Sequence, residues 1–212
     1  MATLPASAIL QRDKETYQIR ITPPAGVVTP EELRQLADVA EKYEVPLVKI
    51  TSGQRIALIG LKEEEMAQAS EEVPFRIGGH YIQACPGNSW CKMGQCDSMG
   101  LGDTLTEKIG TLKTAAKIKV GICGCPIGCS ESHIRDIGFI GGKNGWTMVI
   151  GGNSGSRPRI ADVLAEKMTE EETLDLLDRF LTHYNETAKK KQRVARYVEE
   201  HGIEAIREAM GV

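Results

Sequence analysis

Four of the six cysteines are spaced in a way that can do chemistry. Cys85 and Cys91 form C-x5-C, and after 33 residues Cys125 and Cys129 form C-x3-C. Thiolates select soft metals, and four of them delivered from two loops can close around one iron–sulfur cluster. Pro86 and Gly87 follow the first cysteine, and Gly124, Pro126 and Gly128 interleave with the second pair. Such residues let a backbone wrap closely around inorganic sulfide and aim its N–H groups at it. The same cysteines also admit a structural zinc site, disulfides or plain buried thiols. Zinc pairs usually enclose two to four residues, so the x5 spacing leans away from zinc and the pattern as a whole favours a cluster.

The stretches Cys85-Pro86-Gly87-Asn88-Ser89-Trp90-Cys91 and Gly124-Cys125-Pro126-Ile127-Gly128-Cys129 resemble the siroheme and [4Fe-4S] module of the nitrite and sulfite reductase family. The likeness runs from about Tyr17 to Met210. It is nearest to the siroheme part of the NADH-type nitrite reductases and to small assimilatory-type sulfite reductases. The resemblance implies that Cys85, Cys91, Cys125 and Cys129 hold the cubane, with Cys129 also bridging to the siroheme iron. It further implies a six-electron reduction of sulfite to sulfide or of nitrite to ammonia, with siroheme or an amidated variant as the macrocycle.

Composition sets the outer bounds. A chain of 212 residues is long enough for one or two small domains with a buried core. A formal charge of −3 leaves no footprint for nucleic acid or an anionic membrane, so an anionic substrate has to be drawn by local cations. No apolar run approaches the length of a membrane span, and Met1 to Leu10 lacks the basic start of a secretory leader. Six cysteines without an export signal fit a reducing cytoplasm and metal binding better than disulfides. The 22 glycines suit a chain folded around a large cofactor and equally a loop-rich protein.

The elements that must position the cysteines begin with Tyr17 to Ile21, whose alternation reads as a strand, turned by Pro23-Pro24-Ala25-Gly26. Thr29 is a good N-cap and Pro30 a good first helical residue, and Leu33, Leu36, Ala37 and Ala40 give a helix to about Tyr43 one apolar face. Leu47 to Thr51 and Arg55 to Ile59 read as strands joined across Ser52-Gly53, with Lys62 to Ser70 favouring helix. This β-α-β-β-α order fits a ferredoxin-like α/β sandwich, though other α+β folds share it. The expected organisation is therefore α+β: a ferredoxin-like half-domain over residues 1–75, then a cofactor module over residues 76–212 with a helical C-terminal tail. By the resemblance, Arg20 faces the cofactor and its anionic ligand. Thr51-Ser52-Gly53-Gln54-Arg55-Ile56 resembles the family's T-G-G-Q-R-I segment, which assigns Gln54 and Arg55 to siroheme carboxylates. Without it, both arginines read as strand residues facing water.

In the module, Ile82 to Cys85 reads as the end of a strand that delivers the first cysteine pair, and a helix is expected over about Thr104 to Thr114. Lys117 to Ile122 alternates charge and apolar residues, which puts Lys117 and Lys119 on one face of a strand. The family has a K-x-K pair here that binds the oxyanion and supplies protons; solvated edge-strand lysines are the other reading. Larger members carry an arginine four or five residues before the first cysteine, where this chain has Tyr81 and His80. His80 can stand in as a cation and proton donor. Cys96 and Cys123 fall outside the ligand pattern and read either as small buried residues or as groups beside the cluster. Asp136 to Gly142 and Trp146 to Ile150 read as a hairpin turning at Lys143-Asn144-Gly145. The following Gly151-Gly152-Asn153-Ser154-Gly155-Ser156-Arg157-Pro158-Arg159 resembles the family's G-G-N-x-G…P-R segment and assigns Asn153, Arg157 and Arg159 to the macrocycle, ahead of a helix from about Ile160.

Thr169-Glu170-Glu171-Glu172 is a capping box before an apolar stripe of Leu174, Leu177, Leu181 and Tyr184, and Gly202 separates two last helices. Neither a flavin or nicotinamide region nor an internal repeat is visible. Electrons are therefore expected from an external donor such as a ferredoxin or a flavoprotein subunit. A single copy of the unit suggests a homodimer. A non-catalytic iron–sulfur carrier and a zinc-stabilised interaction domain are the rival readings.

Overall fold

The computed structural model describes residues 4–5 and 7–212. The chain divides into two compact units, Met1–Tyr81 and Ile82–Val212.

Unit 1 begins with a two-residue strand β1 (Ile9–Leu10) and β2 (Tyr17–Ile21), followed by α1 (Pro30–Lys42). The Thr29 hydroxyl accepts from the Glu32 N–H while the Glu32 carboxylate accepts from the Thr29 N–H, so a reciprocal capping box starts this helix. Strands β3 (Leu47–Ile50) and β4 (Ile56–Leu61) and helix α2 (Met66–Glu72) complete the unit. The strand order is β1-β2-β4-β3, every neighbouring pair antiparallel, with β4 inserted between the two strands that α1 connects. That split β-α-β arrangement is the ferredoxin-like topology. Ile19, Ile21, Leu36, Val39, Ile56, Leu58, Leu61 and Met66 form its core. After α2 the chain returns beside β2, where the Thr22 N–H donates to the Arg76 carbonyl and the Gly78 N–H to the Arg20 carbonyl.

The second sheet has the order β5-β6-β7-β8-β9, formed by β5 (Tyr81–Ala84), β6 (Lys119–Cys123), β7 (Ile137–Gly142), β8 (Gly145–Ile150) and β9 (Asp162–Met168). Between β5 and β6 lie the single turn α3 (Gly87–Trp90) and α4 (Ser98–Ile109). Beyond β9 come α5 (Glu170–Thr187), α6 (Val194–His201) and α7 (Ile203–Met210). Strands β6 and β7 are parallel, which demands a crossover between them. Residues 124–136 make that crossover as a loop ending in a short 3-10 turn, and the loop carries Cys125 and Cys129. Strand β6 is buried on both faces from Val120 to Cys123, as expected for a strand in the middle of a covered sheet.

Three elements differ from the sequence reading. The helix expected over Thr104 to Thr114 is α4, and it starts at Ser98 because the Asp97 carboxylate accepts from the Gly100 N–H as an N-cap. Gly100 and Gly102 lie inside it, each costing about 1 kcal/mol against alanine. The strand expected from Lys117 starts at Lys119, although burial still alternates, with Ile118 and Val120 inside and both lysines half-buried. The helix expected from about Ile160 is the strand β9. Leu164, Ala165, Glu166, Lys167 and Met168 favour helix, but that preference is weak beside the open edge of β8, whose backbone groups take β9 as partner. Helix starts only at Thr169, where a second reciprocal capping box forms with Glu172.

Candidate active site

The two cysteine loops of unit 2 are knit to each other. The Gly124 N–H, on the second loop, donates to Cys85 Sγ on the first at 3.1 Å. The Gly124 carbonyl in turn accepts from the N–H groups of Gln95 and Cys96. A Cβ at Gly94 would stand 2.3 Å from the Gly87 carbonyl carbon, so the first loop closes on itself more tightly than any side chain allows. Gly128, directly before Cys129, has φ +82, a conformation that favours glycine. Ser98, fully buried at the start of α4, donates its hydroxyl to the Cys85 carbonyl at 2.7 Å and lies 3.3 Å from Cys85 Sγ. All six cysteines are thiols; among the four expected ligands Cys125 is buried, Cys85 and Cys91 are half-buried and Cys129 is exposed.

These features fit a cubane. Its four irons each take one thiolate, so the sulfurs need to ring a space and not converge on a point. Among the described residues, no three histidines, cysteines or acidic residues gather as they would around one metal ion. The N–H donated to Cys85 Sγ is the kind of contact that stabilises a thiolate ligand and tunes its cluster.

The two cysteines outside the pattern have separate structural tasks. Cys123 is buried, and its sulfur accepts from the Ser130 N–H at 3.2 Å and lies 3.0 Å from Ser132 Oγ. It thereby pins the peptide that follows Cys129. Glu131, in a left-handed conformation, pairs with the buried Arg135 and closes the same turn. The Cys96 thiol faces the Gly142 carbonyl at 3.6 Å, and burial raises its pKa.

Unit 1 gathers positive charge. Arg55 is only 7% exposed, its guanidinium lies 4.4 Å from the centroid of the Tyr81 ring, and its Nε has no hydrogen-bond partner among the described residues. Burial lowers its pKa, helped by the nearby charges of Arg20 and Arg76 and opposed by Tyr81. Among the described residues none of these three arginines forms an ion pair with a carboxylate. A buried cation without a counter-ion is costly, so the cluster fits an anionic ligand such as a macrocycle carboxylate or an oxyanion. Tyr81 is the platform for Arg55, and its ring packs where a Cβ on Gly53 would fall, 2.8 Å away. Gln54 covers Gly26 closely enough that a Cβ there would meet its Oε1 at 2.6 Å. His80 is buried, and its carbonyl accepts from Arg76 at 2.6 Å. Arg76 was not visible as a site residue in the sequence. Its only signal there is its place in the short link between the α2 helix and the first cysteine loop.

The remaining candidates lie in unit 2. Lys119 N–H donates to Asp136 Oδ2 at 2.9 Å, and Lys117 precedes the strand by two residues. In the glycine-rich loop, Asn153 and Arg159 exchange backbone hydrogen bonds at 2.9 and 2.8 Å, and Asn153 Nδ2 holds the Arg157 carbonyl at 2.8 Å. Arg159 pairs with Asp162 and donates to the Gly151 carbonyl, while Arg157 is largely exposed and reaches Glu199 at 3.3 Å. Because β9 follows this loop, no helix start is available there to offer its N–H groups to a carboxylate.

Comparison with known proteins adds the following. A profile described as nitrite and sulphite reductase 4Fe-4S domain matches residues 80–212, and one described as nitrite/sulfite reductase ferredoxin-like half domain matches residues 9–73. The chain is 46% identical to an assimilatory-type sulfite reductase of Nitratidesulfovibrio vulgaris, over 99% of each chain. It is 37% identical to a nitrite reductase [NAD(P)H] of Bacillus subtilis, over 96% of this chain and 26% of that protein. The fold matches the crystal structure of a dissimilatory sulfite reductase with TM-score 0.83 at 14% identity, covering 93% of this chain and 69% of the other.

Proposed function

The chain belongs to the nitrite and sulphite reductase family, and from that premise we propose that it reduces sulfite to sulfide with electrons from a separate donor. The family is one of oxidoreductases, and its cofactors are a [4Fe-4S] cluster and siroheme. The observation that carries the proposal is the contact between the two cysteine loops, in which the Gly124 N–H, beside Cys125, donates to Cys85 Sγ. Sulfite is preferred over nitrite because the likeness to the assimilatory-type sulfite reductase extends over the full length of both chains.

When bound, the cluster and siroheme would supply the low-potential electrons that the reduction needs. Bisulfite plus six electrons and six protons gives hydrosulfide and three waters, so the protein must bind an anion and pass protons repeatedly. We assign Cys85, Cys91, Cys125 and Cys129 as ligands, with Cys129 as the thiolate shared with siroheme. Its exposure supports that role, since a shared sulfur must remain open on one side. Arg55 and Gln54 in unit 1, and Asn153, Arg157 and Arg159 in unit 2, are assigned to macrocycle carboxylates. The unpartnered Nε of Arg55 supports its place in that set. Arg20, Lys117 and Lys119 are assigned to the oxyanion and its protons, with His80 as a further donor. We also assign a homodimer, to be read by sedimentation, and a ferredoxin or a flavoprotein subunit as donor. No described helix is long and apolar enough to cross a membrane.

The test is an anaerobic preparation assayed for iron, sulfide, extracted tetrapyrrole and turnover with reduced methyl viologen. About five irons, four sulfides and one siroheme per chain are expected, with higher kcat/KM for sulfite than for nitrite. Four irons without tetrapyrrole, from cells that make siroheme, would point to an electron carrier and overturn the reading. Faster turnover of nitrite would overturn the substrate assignment alone.

A further inference from the structure

Polar contacts from the connection between α5 and α6 converge on the segment that carries Lys117 and Lys119. Asn185, near the end of α5, accepts from the Ala115 N–H through Oδ1 at 3.2 Å and donates from Nδ2 to the Lys113 carbonyl at 3.4 Å. Lys191 N–H donates to the Ala115 carbonyl at 2.7 Å. Past the lysines, the Lys119 N–H is held by Asp136, whose side chain is wholly buried. Arg193, the residue before α6, grips both oxygens of that carboxylate, Nε to Oδ1 at 3.1 Å and Nη2 to Oδ2 at 2.5 Å. The connection is itself fixed: the buried Tyr184 donates its hydroxyl to the Gln192 carbonyl, and Gln192 Oε1 accepts from the Lys189 N–H at 2.9 Å. This stretch thus holds the backbone directly before Lys117 and, through Asp136, at Lys119.

We propose that the α5–α6 connection is a clamp that sets the position of Lys117 and Lys119, with Asn185, Asp136 and Arg193 as positioning residues for the oxyanion. This rests on the assignment of the two lysines made above. The physical reason lies in the side chain. A lysine is a point charge on a flexible stem, so the place it reaches depends on where its backbone is held. Displacement of a positioning group by about 1 Å can cost up to a hundredfold in rate, and the bidentate, charge-assisted fork of Arg193 on Asp136 resists such displacement better than neutral hydrogen bonds do.

The experiment compares Asn185→Ala, Arg193→Gln and Arg193→Lys with Lys119→Met in the holoprotein. Backbone hydrogen exchange over residues 113–120 and steady-state kinetics with sulfite are the readouts. The clamp predicts faster exchange in Asn185→Ala and Arg193→Gln, with iron and siroheme content unchanged. It also predicts a KM for sulfite raised by about tenfold while kcat moves less. Arg193→Lys keeps the charge and loses the fork, so it should recover part of the KM. Unchanged exchange overturns the clamp, and so does faster exchange with a wild-type KM while Lys119→Met raises it. If Lys119→Met leaves the KM unaltered, it is the assignment of the lysine that fails, and the clamp's role in catalysis falls with it.

Discussion

Unit 1 and unit 2 treat buried charge in opposite ways. In unit 1, Arg55 is buried against Tyr81 with Arg20 and Arg76 nearby and no carboxylate paired to any of the three among the described residues. In unit 2, Asp136 is gripped by Arg193, Arg135 is paired with Glu131, and Arg159 with Asp162. Pairs that satisfy each other hold a structure in place, and they need nothing from outside. A cation left uncompensated at a cost of several kcal/mol is an unfinished contact, and its natural complement is an anion brought by a ligand. The contrast separates charge used for scaffolding from charge held ready for binding.

The largest expected effect breaks the scaffold. Asp136→Ala leaves the Arg193 fork and the Lys119 N–H without their acceptor and should destabilise the chain by about 3 kcal/mol, read by denaturant titration followed by circular dichroism. Arg55→Met is the opposing case. In cofactor-free protein it should raise stability by about 1 kcal/mol, because it removes an uncompensated buried charge and keeps the packing on Tyr81. The same variant should retain less siroheme when the holoprotein is purified. A loss of stability in both forms would mean that Arg55 belongs to the scaffold after all.

A pH titration sharpens the contrast next. Burial pushes the Tyr184 hydroxyl up to about 12, helped by the charge of Asp136 and countered by Arg193. The folded chain therefore keeps this proton where the unfolded chain, near 10, has released it. Stability is unaffected below pH 10 and falls as pH rises from 10 toward 12, by on the order of 2 kcal/mol. Tyr184→Phe should flatten that alkaline loss, at a cost of about 1 kcal/mol at neutral pH for the bond to the Gln192 carbonyl. An alkaline limb of wild-type steepness in the variant would locate the titration elsewhere.

The smallest effects test where the units are alike. Thr29→Ala and Thr169→Ala each remove one hydroxyl from a reciprocal capping box and should each cost about 1 kcal/mol. Similar values would show that the units differ in how they use buried charge and not in how their helices begin. A much larger loss at one site would show that this helix end does more than cap itself.

What the sequence determined by itself is what neighbouring residues decide. The cysteine pairs with their glycines, the Thr29 and Thr169 caps, and the hairpin that turns at Lys143-Asn144 depend on residues within one turn of each other, so their spacing is visible in the chain. The Asp97 cap is equally local, yet Gly100 and Gly102, poor helix formers in the first turns, obscure it. What only the tertiary structure decided depends on segments meeting from far apart. Residues 162–168 carry helix formers and became β9 because β8 offered an open edge. Arg193 reaches Asp136 across 57 positions, and Ala115 reaches Asn185 across 70, with no local pattern to announce either. Likewise Arg55, apart from the family resemblance, reads in the sequence as a strand arginine facing water. Its burial against Tyr81, 26 positions later, comes from the return of the chain beside β2. Local geometry is set by backbone sterics and short hydrogen bonds, whereas the pairing of buried charges is set by which surfaces the fold closes.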